Sequence, residues 1–481
     1  MIDRQIGAES GRAFNALTLH HNLFVTGGLD PKSLLARALN EKHARALNRT
    51  FQLVGLIHSP GDVAAVRNAL RDGDARARSG AIEYLDNLLT GNVRKRVMVL
   101  VDEMPADERV RKGNVIHHTR ALDVEDTLAQ LLHDDDESIA SAAILTVEER
   151  GLWTLADDLE HVLAHRDACD QHVFEAASWA LAAHRMPAER RRALWQEPLP
   201  AAELANRLRQ VPLFNFTQVD ELFRLARIGR QVRHEAGQLL YGKGSTPGSL
   251  QFLLDGVVAT TRDGGPVDVV APAPLAFEEV LEGAPMRSTM TARERCVTLS
   301  LTSDEFLTLL AENVELAEGI FRMLIQRRKL ATGHSLVHGN LMIDMKDRDA
   351  AGIRPVDRVL ILQGSPLLAH ATAAQLWRLS TLARPVDLEP GTVPLAKGEA
   401  AILTMLSGSV RVESADQEAA VATAGDVIGM YETLAGSRLD ATVTVTARGT
   451  ALRLERDDLF GLLADHTDLL QGIYSGLLRV G

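Results

Sequence analysis

From about Pro31 to Met186, apolar residues recur at helical spacing in runs of ten to fifteen residues separated by short polar turns, which predicts successive amphipathic helices. Two of the turns are alike. Leu70-Arg-Asp-Gly-Asp-Ala-Arg-Ala-Arg-Ser-Gly-Ala81 and Leu132-His-Asp-Asp-Asp-Glu-Ser-Ile-Ala-Ser-Ala-Ala143 each end one helix, offer Asp to the start of the next, and run into small residues and an apolar stripe. After Pro187 come Arg190-Arg191-Arg192 and a helix near Ala201–Gln210, and then the pattern turns to alternating strands with frequent glycine. The change puts a boundary near residues 200–210.

The second half repeats itself. Pro212-Leu213, Leu222, Leu225, Gly237 and Gly244 recur as Pro366-Leu367, Leu376, Leu379, Gly391 and Gly398, all at an offset of 154 residues. After a two-residue deletion, Leu254-Asp-Gly256-Val-Val258 faces Leu406-Ser-Gly408-Ser-Val410, and Ser303-Asp304-Glu305-Phe306 faces Arg456-Asp457-Asp458-Leu459. Each copy then holds a short helix, glycines at turns that want positive φ, alternating strands such as Ala441–Thr446, and a closing helix, around Glu315–Lys329 in the first. Such an order describes a small antiparallel barrel or jelly roll with flanking helices.

Composition narrows the function. The 481 residues suit about three domains. A net charge of −12, from 52 basic and 64 acidic side chains, opposes broad phosphate attraction. Cys169 and Cys296 lie too far apart in the chain for a disulfide framework or a CxxC zinc site, which favours a reducing cytoplasm. The start, Met1-Ile-Asp-Arg-Gln-Ile-Gly-Ala-Glu9, is acidic where a secretory signal would be basic, and no apolar run approaches the length of a membrane span. No GxxxxGK[ST] loop, GxSxG elbow or HExxH pair occurs, so no enzyme is expected. Phe321-Arg-Met-Leu-Ile-Gln-Arg-Arg-Lys329 leads into a polar linker rather than a helix-turn-helix, so no direct DNA binding is expected either.

At these residues resemblances become specific. Val211-Pro-Leu-Phe-Asn-Phe-Thr-Gln-Val-Asp-Glu-Leu-Phe-Arg-Leu-Ala226, followed by Gly237, Gly244 and Leu254-x-Gly256, resembles the opening of a cyclic nucleotide-binding domain, and the stretch 365–475 resembles a second. The helical half resembles HEAT repeats, in which small residues let paired helices approach, with an irregular helical bundle as the alternative. Residues 35–100, with Ala46–Ile57 and Ala81–Leu89, are similar to the HEAT-containing soluble portion beside bacterial ATP/ADP-translocase-like transporters.

The resemblance implies a pocket of defined chemistry: a Phe-Gly-Glu element at a helix start, whose glutamate takes the ribose hydroxyl, then an arginine for the phosphate and an Ala-Thr-Val strand. In the first copy Phe277-Glu278-Glu279 stands for Phe-Gly-Glu, with Glu279 at the ribose position and Glu278 bringing charge where glycine belongs. Aligned through Gly283, Pro285 and Cys296, the arginine position holds Met286, with Arg287, Ser288 and Thr289 after it, and the connecting helix is a residue short. The second copy keeps Gly429 but puts Met430 at the glutamate position, and Arg438 falls one residue before the place that the strand at Thr442 predicts. Both pockets are expected to be degenerate.

Three other groupings carry chemistry at first sight. Asp157, His161, His165 and Cys169 recur every four residues, as metal ligands on one helix face would, but they lie beside the apolar stripe of Leu155, Leu159, Val162 and Leu163, where solvated polar residues are expected, and no metal site is expected. Asp134-Asp135-Asp136-Glu137 reads as helix capping. Arg224, Arg227, Arg230 and Arg233 recur every third residue as a solvated face.

The fold class that follows is a multidomain α+β chain: a HEAT-like α-solenoid at 1–205, a cyclic nucleotide-binding-like domain at 206–335, a linker at 336–356 and a second such domain at 357–481. The expected function is regulatory or scaffolding, non-enzymatic and without a cofactor, with the helical repeats contacting a protein partner and the chain capable of forming a homo-oligomer. The alternative is a sensor of cyclic AMP or cyclic GMP that controls a membrane transporter or other effector. The expected place is the cytoplasm, peripheral to the inner membrane where a partner holds it there.

Overall fold

A computed structural model describes residues 2–72, 75–166, 170–185, 198–262, 265–332, 336–339, 341, 349–369, 371–414, 417–437 and 439–479. The chain divides into two compact units, Met1–Asn206 with Gln218–Phe223, and Arg207–Thr217 with Arg224–Gly481.

The first unit is helical among its described residues, and the helices begin earlier than Pro31: Ile2–His20 is the first, with Ile6, Ala13, Phe14 and Leu19 buried along one stripe. Leu34–Gly55, started by the Ser33 side chain accepting from Ala36 N, is longer than the expected runs at 22 residues. Pro60–Asp72, Ala75–Leu88, Gly91–Val101, Ala106–His117, Val124–Leu131, Glu137–Arg150, Ala156–Ala164 and Gln171–Arg185 follow. Chain neighbours pack on one another, but Ile2–His20 also packs on Gly91–Val101 and Ala106–His117, so the contacts are not confined to successive pairs. Gly113 permits that approach, since a side chain there would enter the Phe14 ring. Helix Glu137–Arg150 is buried from Ser138 to Val147, and its small residues Ala140, Ala142 and Ala143 let the helices Leu34–Gly55 and Gln171–Arg185 close on it.

The second unit holds two β regions in sequence. The first contains β1 (Arg230–His234), β2 (Leu239–Tyr241), β3 (Ser249–Asp255), β4 (Val257–Arg262), β5 (Gly265–Val270), β6 (Ala273–Leu275), β7 (Thr289–Ala292) and β8 (Cys296–Thr302). These form antiparallel sheets in the orders β1-β8-β3-β6 and β2-β7-β4-β5. The second region contains β9 (Arg384–Leu388), β10 (Ala401–Met405), β11 (Ser409–Ser414), β12 (Gln417–Ala422), β13 (Val427–Ile428), β14 (Thr442–Ala447) and β15 (Gly449–Glu455), in the orders β13-β10-β15-β9 and β12-β11-β14. Alternate residues Leu403, Met405, Val443, Val445 and Ala451 meet in its core.

The 154-residue sequence repeat carries into the backbone. Gly237 and Gly391 have φ of +84° and +86°, and Gly244 and Gly398 have +83° and +89°. At Gly256 and Gly408 the requirement is also steric, because a Cβ would sit 2.6 Å from Arg295 O and from Ala447 O respectively. A 3₁₀ turn and a helix precede each β region, Pro212–Phe214 with Val219–Ile228 and Pro366–Leu368 with Ala373–Leu382. Two helices follow each, Ser303–Glu312 and Val314–Thr332 in the first and Arg456–Asp465 and Thr467–Arg479 in the second.

Candidate functional site

The expected pockets lie where a sheet strand gives way to a short helix. In the first copy β6 ends at Leu275, the next residue, Ala276, is left-handed at φ +57°, and the helix Phe277–Glu282 follows it and is capped by Gly283, φ +63°. In the second, β13 ends at Ile428, Gly429 follows at φ +78°, and the helix Met430–Leu434 is followed by Gly436, φ +59°. We call these the cradle helices. A side chain at Gly429 would run into Ala401 O, so the backbone approach as well as the dihedral selects glycine there.

Backbone hydrogen bonds fix the register between copies. Gly244 N donates to Met286 O at 2.8 Å, and its counterpart Gly398 N donates to Leu439 O at 2.9 Å. Met286 N donates to Ser245 O at 2.8 Å, and Leu439 N to Glu399 O at 3.2 Å. Met286 and Leu439 therefore occupy one place, ten residues after Ala276 and Gly429 respectively.

This register corrects the alignment read from the sequence. The left-handed position of the first copy is Ala276, not Glu278, because it is the backbone turn before the helix that must be left-handed. Phe277 consequently matches Met430, and Glu279 matches Glu432 rather than the ribose-binding position. The segment between turn and strand is not a residue short: it has one length in both copies.

The places where the resemblance expects polar partners are apolar and closed. Met286 is 2% exposed and Leu439 is 3% exposed; Phe277 and Met430 are buried as well. The Phe277 ring meets Phe306 edge-on, centroids 6.2 Å apart. Arg287 comes one residue after Met286, and its side chain is 57% exposed, with Nη2 donating to Glu282 at 2.6 Å and Nη1 to Glu278 at 3.5 Å. Ser288 is buried and its Oγ accepts from Thr260 Oγ1 at 3.0 Å, while Thr289 Oγ1 accepts from Lys243 N at 3.2 Å. Glu279 is buried near Tyr241, whose phenol burial pushes well up and whose hydroxyl donates to Ser249 O. In the second copy Glu432 is buried on the cradle helix and Thr442 is exposed at the start of β14, while Arg438 lies outside the described residues.

The other groupings resolve into structural roles. The His161 and His165 rings lie with centroids 4.1 Å apart at a 44° tilt, and His165 Nδ1 lies 2.9 Å from His161 O, an interaction along the helix rather than toward an ion. Cys169 and Arg190–Arg192 lie outside the described residues, and among the described residues no His, Cys, Asp and Glu group has the geometry to hold a metal. Asp136 caps Glu137–Arg150, accepting from Ser138 N and Ile139 N, whereas Asp134 and Asp135 both accept from Lys42 Nζ. Arg224 lies 3.6 Å from Glu312, and Arg227 and Arg230 are exposed. No helix among the described residues is long and apolar enough to cross a membrane.

Sequence reasoning missed the residues that cover the cradle helices from outside: Glu318 and Arg322 on one closing helix, Gln471 and Ser475 on the other. A signal for them exists in Glu318-Gly-Ile-Phe321, which repeats as Gln471-Gly-Ile-Tyr474 at an offset of 153.

Comparison with known proteins bears on the second copy. The family model described as the cyclic nucleotide-binding domain matches residues 385–466. No curated protein matches the chain. Among solved structures, the regulatory subunit of a cAMP-independent protein kinase A from Trypanosoma brucei is similar at 18% identity over 53% of this chain and 84% of its own, with a TM-score of 0.24. The regulatory domain of Toxoplasma gondii protein kinase A, solved with cAMP, matches at 18% identity over 55% and 94%, TM-score 0.22. The N-terminal domain of a Streptomyces coelicolor transcriptional regulator matches at 21% over 26% and 94%, TM-score 0.25. These TM-scores are too low to carry a conclusion about this chain. The family match by itself gives the chain a cyclic nucleotide-binding domain at 385–466, the stretch that runs from β9 through β15 and the helix Arg456–Asp465.

Proposed function

We propose that this is a non-enzymatic regulatory protein with two copies of the cyclic nucleotide-binding fold, at 206–335 and 357–481, neither of which takes a cyclic nucleotide through an arginine–phosphate pair. The observation that carries the reading is the pair Met286 and Leu439, both buried, at the place where the phosphate arginine belongs. Losing that pair forfeits about 1.5–3 kcal/mol of charge-assisted hydrogen bonding, roughly ten- to a hundredfold in affinity. Phe277 and Met430 remove the ribose carboxylate in addition. The HEAT-like half then serves protein contacts in the cytoplasm. Exposed Leu56, Ile57 and Tyr84, on or beside its helices, support that role.

Calorimetric titration of the whole chain with cyclic AMP and cyclic GMP tests the proposal. No heat and no thermal shift at millimolar ligand is the expected result. Micromolar binding that disappears in Arg287→Ala overturns it. That outcome would favour the second reading, a nucleotide-responsive subunit acting on a transporter or other effector, for which the retained left-handed turn at Gly429 and the family match at 385–466 speak.

A further inference from the structure

Each closing helix lies on the cradle helix of the other copy. In the helix Val314–Thr332 of the first copy, the Glu318 carboxylate occupies the space over Gly436, where any side chain would collide with it, and Arg322 Nε donates to Ala435 O at 2.9 Å. Arg456, the first residue of a helix in the second copy, holds that carboxylate, with Nε 2.9 Å from Oε1 and Nη2 on the same oxygen. In the helix Thr467–Arg479 of the second copy, Gln471 faces Gly283 and Ser475 Oγ donates to Leu281 O at 3.3 Å, both on the cradle helix of the first copy.

These contacts are equivalent. Glu318 and Gln471, Arg322 and Ser475, and Gly436 and Gly283 are each 153 residues apart. Phe321 and Tyr474 stand at the same separation and meet each other: the rings stack 4.3 Å apart at 18°, both fully buried, and the Tyr474 hydroxyl donates to Ala317 O at 3.3 Å. Reciprocal contacts of this kind, with two equivalent residues meeting between them, are the pattern of a two-fold axis.

We propose that the two copies form an internal two-fold lock, in which each closing helix straps the other copy's cradle helix and the Phe321–Tyr474 stack joins the straps, so that loosening one cradle loosens the other. This rests on reading both β regions as copies of one fold. Burial at the axis makes the two helices a single packed element, and packed elements shift together rather than deform continuously. A partner that pulled the helix Thr467–Arg479 away would thereby release both cradles.

Hydrogen exchange on the whole chain, without ligand, tests the lock. Gly436→Ala pushes Glu318 off the second cradle. The expected result is exchange about tenfold faster at 277–286 in the first copy as well as at 430–439. Faster exchange confined to 430–439 and 314–326, or no change at either cradle, overturns the proposal. Should Gly436→Ala not fold, Arg456→Ala removes the cation instead and is held to the same two outcomes. The lock needs no nucleotide. A positive cyclic nucleotide titration would therefore sink the proposed function and leave this exchange pattern intact, and an uncoupled pattern would do the reverse.

Discussion

Arg287 donates to Glu282 at 2.6 Å, and because the Glu282 side chain is nearly buried, the bond serves the fold of the first cradle. Removing the cation strands a buried carboxylate. Arg287→Ala is expected to lower stability by about 1–3 kcal/mol in denaturant melts, and Arg287→Ala with Glu282→Gln to recover most of it. If Arg287 instead served a ligand, its loss would leave stability unchanged and abolish binding.

Met286→Arg places a charge where the family's phosphate arginine would stand, at a buried position. It is expected to cost about 2–4 kcal/mol in the free chain. Cyclic AMP should return part of that loss, because a ligand that binds only the folded state raises the melting temperature. A folded variant with no ligand-dependent shift would mean that Phe277 and its neighbours wall off the cradle regardless of charge.

The left-handed turns give a contrast between copies. Gly429→Ala meets both the positive φ and the approach of Ala401 O, so a loss of about 2 kcal/mol or more is expected. Ala276→Gly relieves about 1–2 kcal/mol of left-handed alanine strain but adds about 0.5–1 kcal/mol of unfolded-chain entropy. A change smaller than about 1 kcal/mol is the expected outcome. Thermal melts of both variants decide whether the turns are equivalent.

In the helical unit the His117 ring stacks on Phe14, centroids 4.7 Å apart at 10°. Burial pushes the His117 pKa down to about 4, and the positive charge of Arg96 acts the same way. His20 and His43 are lowered too, chiefly by burial. A base whose folded pKa is depressed binds its proton more readily unfolded, so its contribution is full above about pH 6.5 and declines as pH falls toward 4. Denaturant midpoints between pH 7 and pH 4 should fall in the native chain, and fall less steeply in His117→Phe. Equal slopes would assign the acid sensitivity elsewhere.

The cradle shows where reading the chain succeeds and where it stops. Gly237, Gly244, Gly391 and Gly398 announce their positive φ, because glycine is the residue that pays least for it, and the repeat was legible through them. Ala276 adopts the same conformation as Gly429 without the marker. Sequence alone therefore points to the next plausible triplet, Phe277-Glu278-Glu279, and to a segment one residue too short. Spacing puts Met286 at the arginine place, and Leu439 matches Met286 through a backbone bond that no side-chain pattern reveals. The early start of the helices at Ile2 was missed because polar residues interrupt its stripe.

By itself, then, the sequence determined the local matters: helical periodicity in the first half, alternating strands and glycine turns in the second, and a repeat of residues at an offset of 154 whose two stretches show one order of elements. Those follow from dihedral preference and from burial on one face, which act over a few residues. The tertiary structure alone decided which backbone bond sets the cradle register, that Arg287 turns to Glu282, and that Phe321 and Tyr474 meet. The register bonds and the Phe321–Tyr474 stack bring together groups far apart in the chain, and close packing selects such pairs only in the folded molecule.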